Sequence, residues 1–166
     1  MSGAGYGEYT IFALTKTSAK RVIAFEPNPA VWEELRHNLR INGLENDSRI
    51  ALHLKYLGSA EGPGTIAASR LADWIVPPCL IKLDIDGGEG EVMRASAPKL
   101  LSAPGLRWII ETHSAELERE CITILEAAGY AITIAPNAWW RAIIPELRPI
   151  DHNRWLVAVK PGFPTL

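Results

Sequence analysis

Two hydrophobic rhythms alternate along this chain. Continuous apolar runs at 22–25, 80–83 and 108–110 are rich in Val, Ile, Leu and aromatic residues, with Lys82 as the one charged interruption. Such runs mark strands buried on both faces, as in parallel sheets; half-exposed strands alternate instead. Between the runs, apolar residues recur every three or four positions. Tyr9, Phe12 and Ala13 share one side of a predicted helix over 8–16. Val31, Leu35 and Leu39, with Trp32 beside them, form a stripe from Pro29 onward, and Leu117, Cys121, Ile124, Leu125 and Ala128 form another over 115–128. The caps agree with these limits. Asn28 precedes Pro29, Asn42-Gly43 ends the second helix, Ser114 stands before the last helix and Gly129 closes it.

The pattern also predicts a strand over 49–57, a loop over 58–64 and one helical turn over 71–75, cut off by Pro77-Pro78. Val92, Met93 and Ala95 lie on a helix that Pro98 interrupts. The last two strands, 130–135 and 155–159, have no helix between them, which predicts an antiparallel return. Alternating strands and helices that end in a hairpin predict an α/β fold. It is a three-layer sandwich on a mostly parallel sheet, in a single domain over 1–166.

Composition narrows the partners. The 166 residues suffice for one domain with a core and are too few for two. A net charge of −2 with scattered Lys and Arg makes nucleic acid an unexpected partner. No apolar run approaches the roughly 18 residues of a membrane span, and no signal-peptide pattern opens the chain. Cys79 and Cys121 stand alone, with neither zinc spacing nor a disulfide framework, so reduced thiols and a cytoplasmic location are expected.

Reactive residues collect at strand ends, where ligands of open α/β sheets sit. Gly3-Ala-Gly-Tyr-Gly7 is a glycine-dense turn before a helix, which lets a ligand approach the main chain. Glu8 follows it where a phosphate loop would carry Lys-Ser/Thr, so a ligand with an ammonium group suits this turn better than a phosphate. Glu26 closes the run 22–25 about 20 residues later, the place from which nucleotide-binding folds grip ribose hydroxyls. Asp84-Ile-Asp-Gly-Gly-Glu-Gly-Glu91 follows the run 80–83, and Glu111-Thr-His-Ser114 follows 108–110. His113 is the candidate base, since an unperturbed imidazole titrates near neutrality. Asp84, Asp86, Glu89 and Glu111 are candidate oxygen ligands for Mg²⁺, with solvated loop acids as the plainer expectation. Trp139 and Trp140 are expected in core packing or a homodimer contact more than on a substrate.

The motifs Val22-Ile-Ala-Phe-Glu-Pro-Asn-Pro29, Asn38-Leu-Arg-Ile-Asn-Gly43 and Ile81-Lys-Leu-Asp-Ile-Asp-Gly87 resemble class I S-adenosylmethionine-dependent methyltransferases. Within them the FkbM-type branch is most similar; Arg70-Leu-Ala-Asp-Trp74 and Glu111-Thr-His113 also match it. The likeness runs over nearly the whole chain. It implies a Rossmann-like methyltransferase sheet, S-adenosylmethionine as cofactor and methylation of an oxygen on a small molecule or sugar. It places Gly3, Gly5 and Gly7 against the methionine end of the cofactor and Glu26 on the ribose diol, where a carboxylate accepts both protons. The backbone around Leu57 would line the adenine, and Asp84 would lie near the methionyl ammonium or the reacting methyl. His113 and Asp84 are the catalytic candidates, with Mg²⁺ the less favoured route. An RNA methyltransferase is the alternative, although the Asn-Pro-Pro-Tyr run that holds an amino nitrogen is missing after the fourth strand.

This sequence departs from the family pattern at its start. A first strand ending in Asp would precede Gly3, and Met1 stands in that place. Three consequences are conceivable: residues upstream of Met1, a neighbouring chain in the gap, or direct closure of the second strand on the fourth. A truncated, non-catalytic remnant is a further alternative.

Overall fold

A computed structural model describes residues 2–135 and 152–160. Trp139 and Trp140 lie outside them. The order is α1 (Glu8–Lys16), β1 (Val22–Phe25), α2 (Pro29–Ile41), β2 (Ile50–His53), β3 (Tyr56–Gly58) and β4 (Thr65–Ala67). A 3-10 turn (Ala68–Arg70), α3 (Leu71–Trp74), β5 (Cys79–Leu83) and α4 (Glu89–Ser96) come next. A π-helical segment (Ala97–Leu101), β6 (Leu106–Thr112), α5 (Ala115–Ala127), β7 (Ala131–Ala135) and β8 (Arg154–Val159) complete it.

The caps expected from sequence are in place. Asn28 accepts a hydrogen bond from the Ala30 N–H and Ser114 accepts one from the Leu117 N–H. Gly43 takes the left-handed conformation that ends α2. β1 pairs in parallel with β2, and β5 with β6, while β8 lies antiparallel between β6 and β7. The fold is therefore a three-layer α/β sandwich on a mixed, mostly parallel sheet that ends in the expected antiparallel pair.

Each face of the sheet has its own core. Val22 and Ala24 of β1 join Leu14, Leu35, Leu39 and Leu44 beneath α1 and α2. Phe25 faces the other way, into a larger cluster with Leu83, Met93, Trp108, Ile110, Leu125 and Leu156. Complete burial of such side chains contributes about 1.5–3 kcal/mol each, which makes these two clusters the main support of the layers. Phe25 also stacks on His53 at 5.0 Å, and His53 on Trp74 at 5.4 Å, tying β1 and β2 to α3.

Two local expectations change. The run 49–57 is two strands: β2 stays beside β1, whereas β3 leaves the main sheet and pairs in parallel with β4. Leu57 and Ile66 drive the split, since both bury into the larger cluster. On α1 the buried positions are Thr10 and Leu14, while Phe12 is exposed. Leu14 is the residue that meets the small cluster, and this rotates Tyr9 toward β5 and β8.

At the position where a first strand is expected, the described residues place Ser2. Ser2 bridges in parallel to both Phe25 of β1 and Leu83 of β5. Its N–H donates to the Lys82 carbonyl at 3.0 Å, and the Ala4 N–H donates to the Phe25 carbonyl at 3.0 Å. Direct closure of β1 on β5 does not occur, because Ser2 and the start of the glycine turn stand between their carboxyl ends.

Candidate functional site

Glu26 lies at the tip of β1 and is 7% exposed. Its Oε2 accepts the Gly5 N–H at 3.0 Å and its Oε1 accepts the Asn28 N–H at 2.9 Å. The carboxylate thus fastens the opening turn to the strand tip from 21 residues away. Gly3, Gly5 and Gly7 all have positive φ. At Gly3 the requirement is also spatial: a Cβ there would fall 1.6 Å from the Asp84 carbonyl oxygen. Gly7 starts α1, and Asn38 of α2 donates its side-chain amide to the Tyr6 carbonyl at 2.9 Å. The turn is gripped from β1, β5 and α2 together.

The period of two along β5, β6 and β8 explains the second half of the site. In β6 the buried residues Leu106, Trp108, Ile110 and Thr112 alternate with Arg107, Ile109 and Glu111. Lys82 stands opposite Ile109, and Glu111 opposite Trp155, so Lys82, Asp84, Glu111, His113, Asn153 and Trp155 belong to one sheet face. Lys82 is buried. Its ammonium donates to Asp84 Oδ2 at 2.7 Å and to the Gly3 carbonyl at 3.3 Å, over the rings of Tyr9 and Trp155 at 4.6 and 5.7 Å. Contacts of this kind between a cation and a ring are attractive.

Asp84, Glu111 and His113 converge at the strand ends, with one ligand atom from each within 4.8 Å of the others. His113 Nε2 is 3.7 Å from Asp84 Oδ1 and 3.6 Å from Asp86 Oδ1; its Nδ1 is 3.5 Å from Glu89 Oε1. Burial pushes the Glu111 carboxyl above its ordinary pKa, and the negative Asp84 adds to this, while a hydrogen bond from Asn153 opposes it. Burial likewise raises the Tyr9 phenol, helped by Glu111, Glu8 and Asp84. Glu89 differs from a solvated loop acid. It is fully buried, and its two oxygens accept the Ile85 and Gly87 N–H groups at 2.9 and 3.0 Å. Asp86, by contrast, is mostly exposed, with a positive φ.

A clamp outside this face positions Asn153. Arg154 pairs with Glu118 of α5 through two nitrogens, and His152 Nε2 lies 3.2 Å from the same carboxylate. Asn153, between those two residues, is buried and turned to the Glu111 side.

Of the residues singled out in the sequence, Gly3, Gly5, Gly7, Glu26, Asp84 and His113 thus gather at the carboxyl ends of β1, β5 and β6. Leu57 sits apart, paired with Ile66 in the small β3–β4 sheet with its side chain in the larger core. Sequence reasoning assigned no role to Lys82 alone, Tyr9, Asn153 or Trp155. For Lys82 a signal existed: a lone ammonium inside an apolar strand, two residues before an Asp on the same face. Asn153 carried none, because only the register of β8 against β6 brings it to Glu111. Cys79 begins β5, at the opposite end from the site, and Cys121 is buried on α5. No helix among the described residues is long and apolar enough to cross a membrane.

No family model matches this sequence, and no curated protein matches it either. Solved structures do match. The methyltransferase FkbM from Methylobacillus flagellatus superposes with a TM-score of 0.72 at 20% identity; the match covers 95% of this chain and 42% of that one. The precorrin-6y C5,15-methyltransferase from Geobacter metallireducens gives 0.62 at 18% identity, covering 95% and 77% of the two chains. An rRNA methylase from Streptococcus thermophilus gives 0.56 at 15% identity, covering 96% and 84%. The chain therefore shares the α/β fold of these methyltransferase structures.

Proposed function

We propose that this chain is an S-adenosylmethionine-dependent methyltransferase. The observation that carries the reading is Glu26 holding the Gly5 N–H at the mouth of the sheet. Each Glu26 oxygen uses one lone pair on a main-chain N–H, which leaves one on each for a vicinal diol. The cofactor, when bound, supplies a methyl group made electrophilic by the sulfonium. Gly3, Gly5 and Gly7 let it lie against the main chain. Asp84 and Glu8 supply negative charge for its ammonium; Glu8 leans over the turn, 3.6 Å from where a Gly5 Cβ would be.

An oxygen acceptor must lose a proton as the methyl is transferred. That proton is proposed to leave where Asp84, Glu111 and His113 converge. Two acceptor classes have support. RNA is favoured by the likenesses to rRNA and tRNA methylases, which are at least as numerous as those to small-molecule enzymes. A small molecule or sugar is supported by the net charge of −2 and by the likeness to FkbM.

Calorimetric titration with S-adenosylhomocysteine tests the cofactor reading. Binding to the wild type that is lost in Glu26→Gln supports it, and the absence of heat at millimolar ligand overturns it. Transfer of a tritiated methyl group into purified RNA, against transfer into a small-metabolite fraction, then separates the acceptors.

A further inference from the structure

We infer that Asp84, Glu111, His113 and Asn153 form a site for a first-row divalent cation of the Mn²⁺ type. The donors are two carboxylates, an imidazole and a carboxamide oxygen, a set that suits ions accepting both nitrogen and oxygen. The first three already bring ligand atoms within 4.8 Å of one another.

Two features of the surroundings point to an ion independently of the carboxylates. The first is Asn153. It is 93% buried at 7% exposure, its amide hydrogen-bonds Glu111, and its Oδ1 has no hydrogen-bond partner among the described residues. A buried oxygen acceptor left unmatched is costly, and a cation between it and Glu111 would satisfy it. The Arg154–Glu118–His152 clamp holds the residues on either side, and the contact to Glu111 holds the Asn153 amide on the site's side.

The second is the setting of His113. With Nε2 toward Asp84, its buried Nδ1 lies 3.5 Å from Glu89 without a hydrogen-bond partner among the described residues, and the Ile85 and Gly87 N–H groups hold that carboxylate in place. Ligating histidines characteristically direct their other ring nitrogen to such a carboxylate, which fixes tautomer and orientation. Lys82 takes only Oδ2 of Asp84, which leaves Oδ1 on the His113 side.

The test is binding of Mn²⁺ to the whole chain without any cofactor, followed by electron paramagnetic resonance. One site per chain is expected, weakened at least about tenfold in His113→Ala and in Glu111→Gln. Outer-shell changes of this kind typically cost 10- to 100-fold, so Glu89→Gln should also weaken binding about tenfold. Glu45→Gln, remote from the site, should leave it unchanged. In case a variant misfolds, the wild type is examined by NMR as well: Mn²⁺ should broaden the amide signals of Ile85, His113 and Asn153 before those of Glu116 and Glu120. No binding at millimolar Mn²⁺, equal binding in His113→Ala, or broadening centred elsewhere would overturn the inference. The readout uses neither S-adenosylmethionine nor turnover, so it stands or falls apart from the methyltransferase reading.

Discussion

Glu26 and Gly5 are joined by a 3.0 Å hydrogen bond from the glycine N–H to the glutamate Oε2. This contact makes one buried carboxylate both the clasp of the opening turn and the candidate grip on a sugar. Removing it should therefore be felt without any ligand. Glu26→Ala leaves the Gly5 and Asn28 N–H groups without their acceptor, a loss of about 2–4 kcal/mol in unfolding free energy. Urea denaturation measures it; a loss below about 0.5 kcal/mol would show that the turn does not depend on the clasp.

Two glycines with similar φ should respond differently to alanine. Gly43 has φ +72° and open space around a Cβ, so Gly43→Ala should cost about 1–2 kcal/mol from backbone conformation alone. Gly3 has φ +68° and the Asp84 carbonyl where the Cβ would go. Gly3→Ala must push the turn off β5, and its melting temperature should fall well below that of Gly43→Ala. Equal melting temperatures would mean that the Gly3–Asp84 contact is not made in solution.

Glu118 and Glu111 should shift the acid stability curve in opposite senses. Arg154, with His152 beside it, holds the Glu118 carboxyl below its ordinary range. Its stabilisation is present above the unfolded pKa near 4.5 and is lost as pH falls through the lower folded value. Glu118→Gln should thus be less stable than wild type at pH 7, with the gap closing toward strong acid. Glu111 is raised by burial and by Asp84, so its ionisation opposes folding as pH rises above 4.5 through the raised value. Glu111→Gln should be more stable than wild type at pH 8 and equal to it below pH 4. Thermal melts across pH 3 to 8 check both; parallel curves would contradict the assigned causes.

The two thiols should separate by reactivity. Burial, with Glu89 nearby, pushes Cys121 up to about 12, while Cys79 is raised by burial but keeps partial exposure. Iodoacetamide at pH 8 should label Cys79 slowly and Cys121 only after unfolding. Peptide mass spectrometry reads the order, and native labelling of Cys121 ahead of Cys79 would contradict the packing of α5.

Much of this fold was legible because its signals are local. Asn28-Pro29 and Ser114 announce helix starts by their own chemistry, and 22–25 reads as a strand from composition alone. The split of 49–57 was not legible. Leu54 and Lys55 carry no turn signal, and the break follows from where Leu57 and Ile66 find a core. The site divides in the same way. Glu26, Asp84 and His113 betray themselves as polar residues at the ends of apolar runs. Asn153 does not, since its place depends on strand register and on a clamp to Glu118 that lies 35 positions earlier.

Among the described residues, Ser2 bridges two ribbons, β2-β1 on one side and β5-β6-β8-β7 on the other. The join lies at the carboxyl ends, beside Lys82 and the glycine turn. A Ser2→Pro change, which removes the N–H that reaches the Lys82 carbonyl, would therefore loosen the join at the very end where the reactive side chains lie.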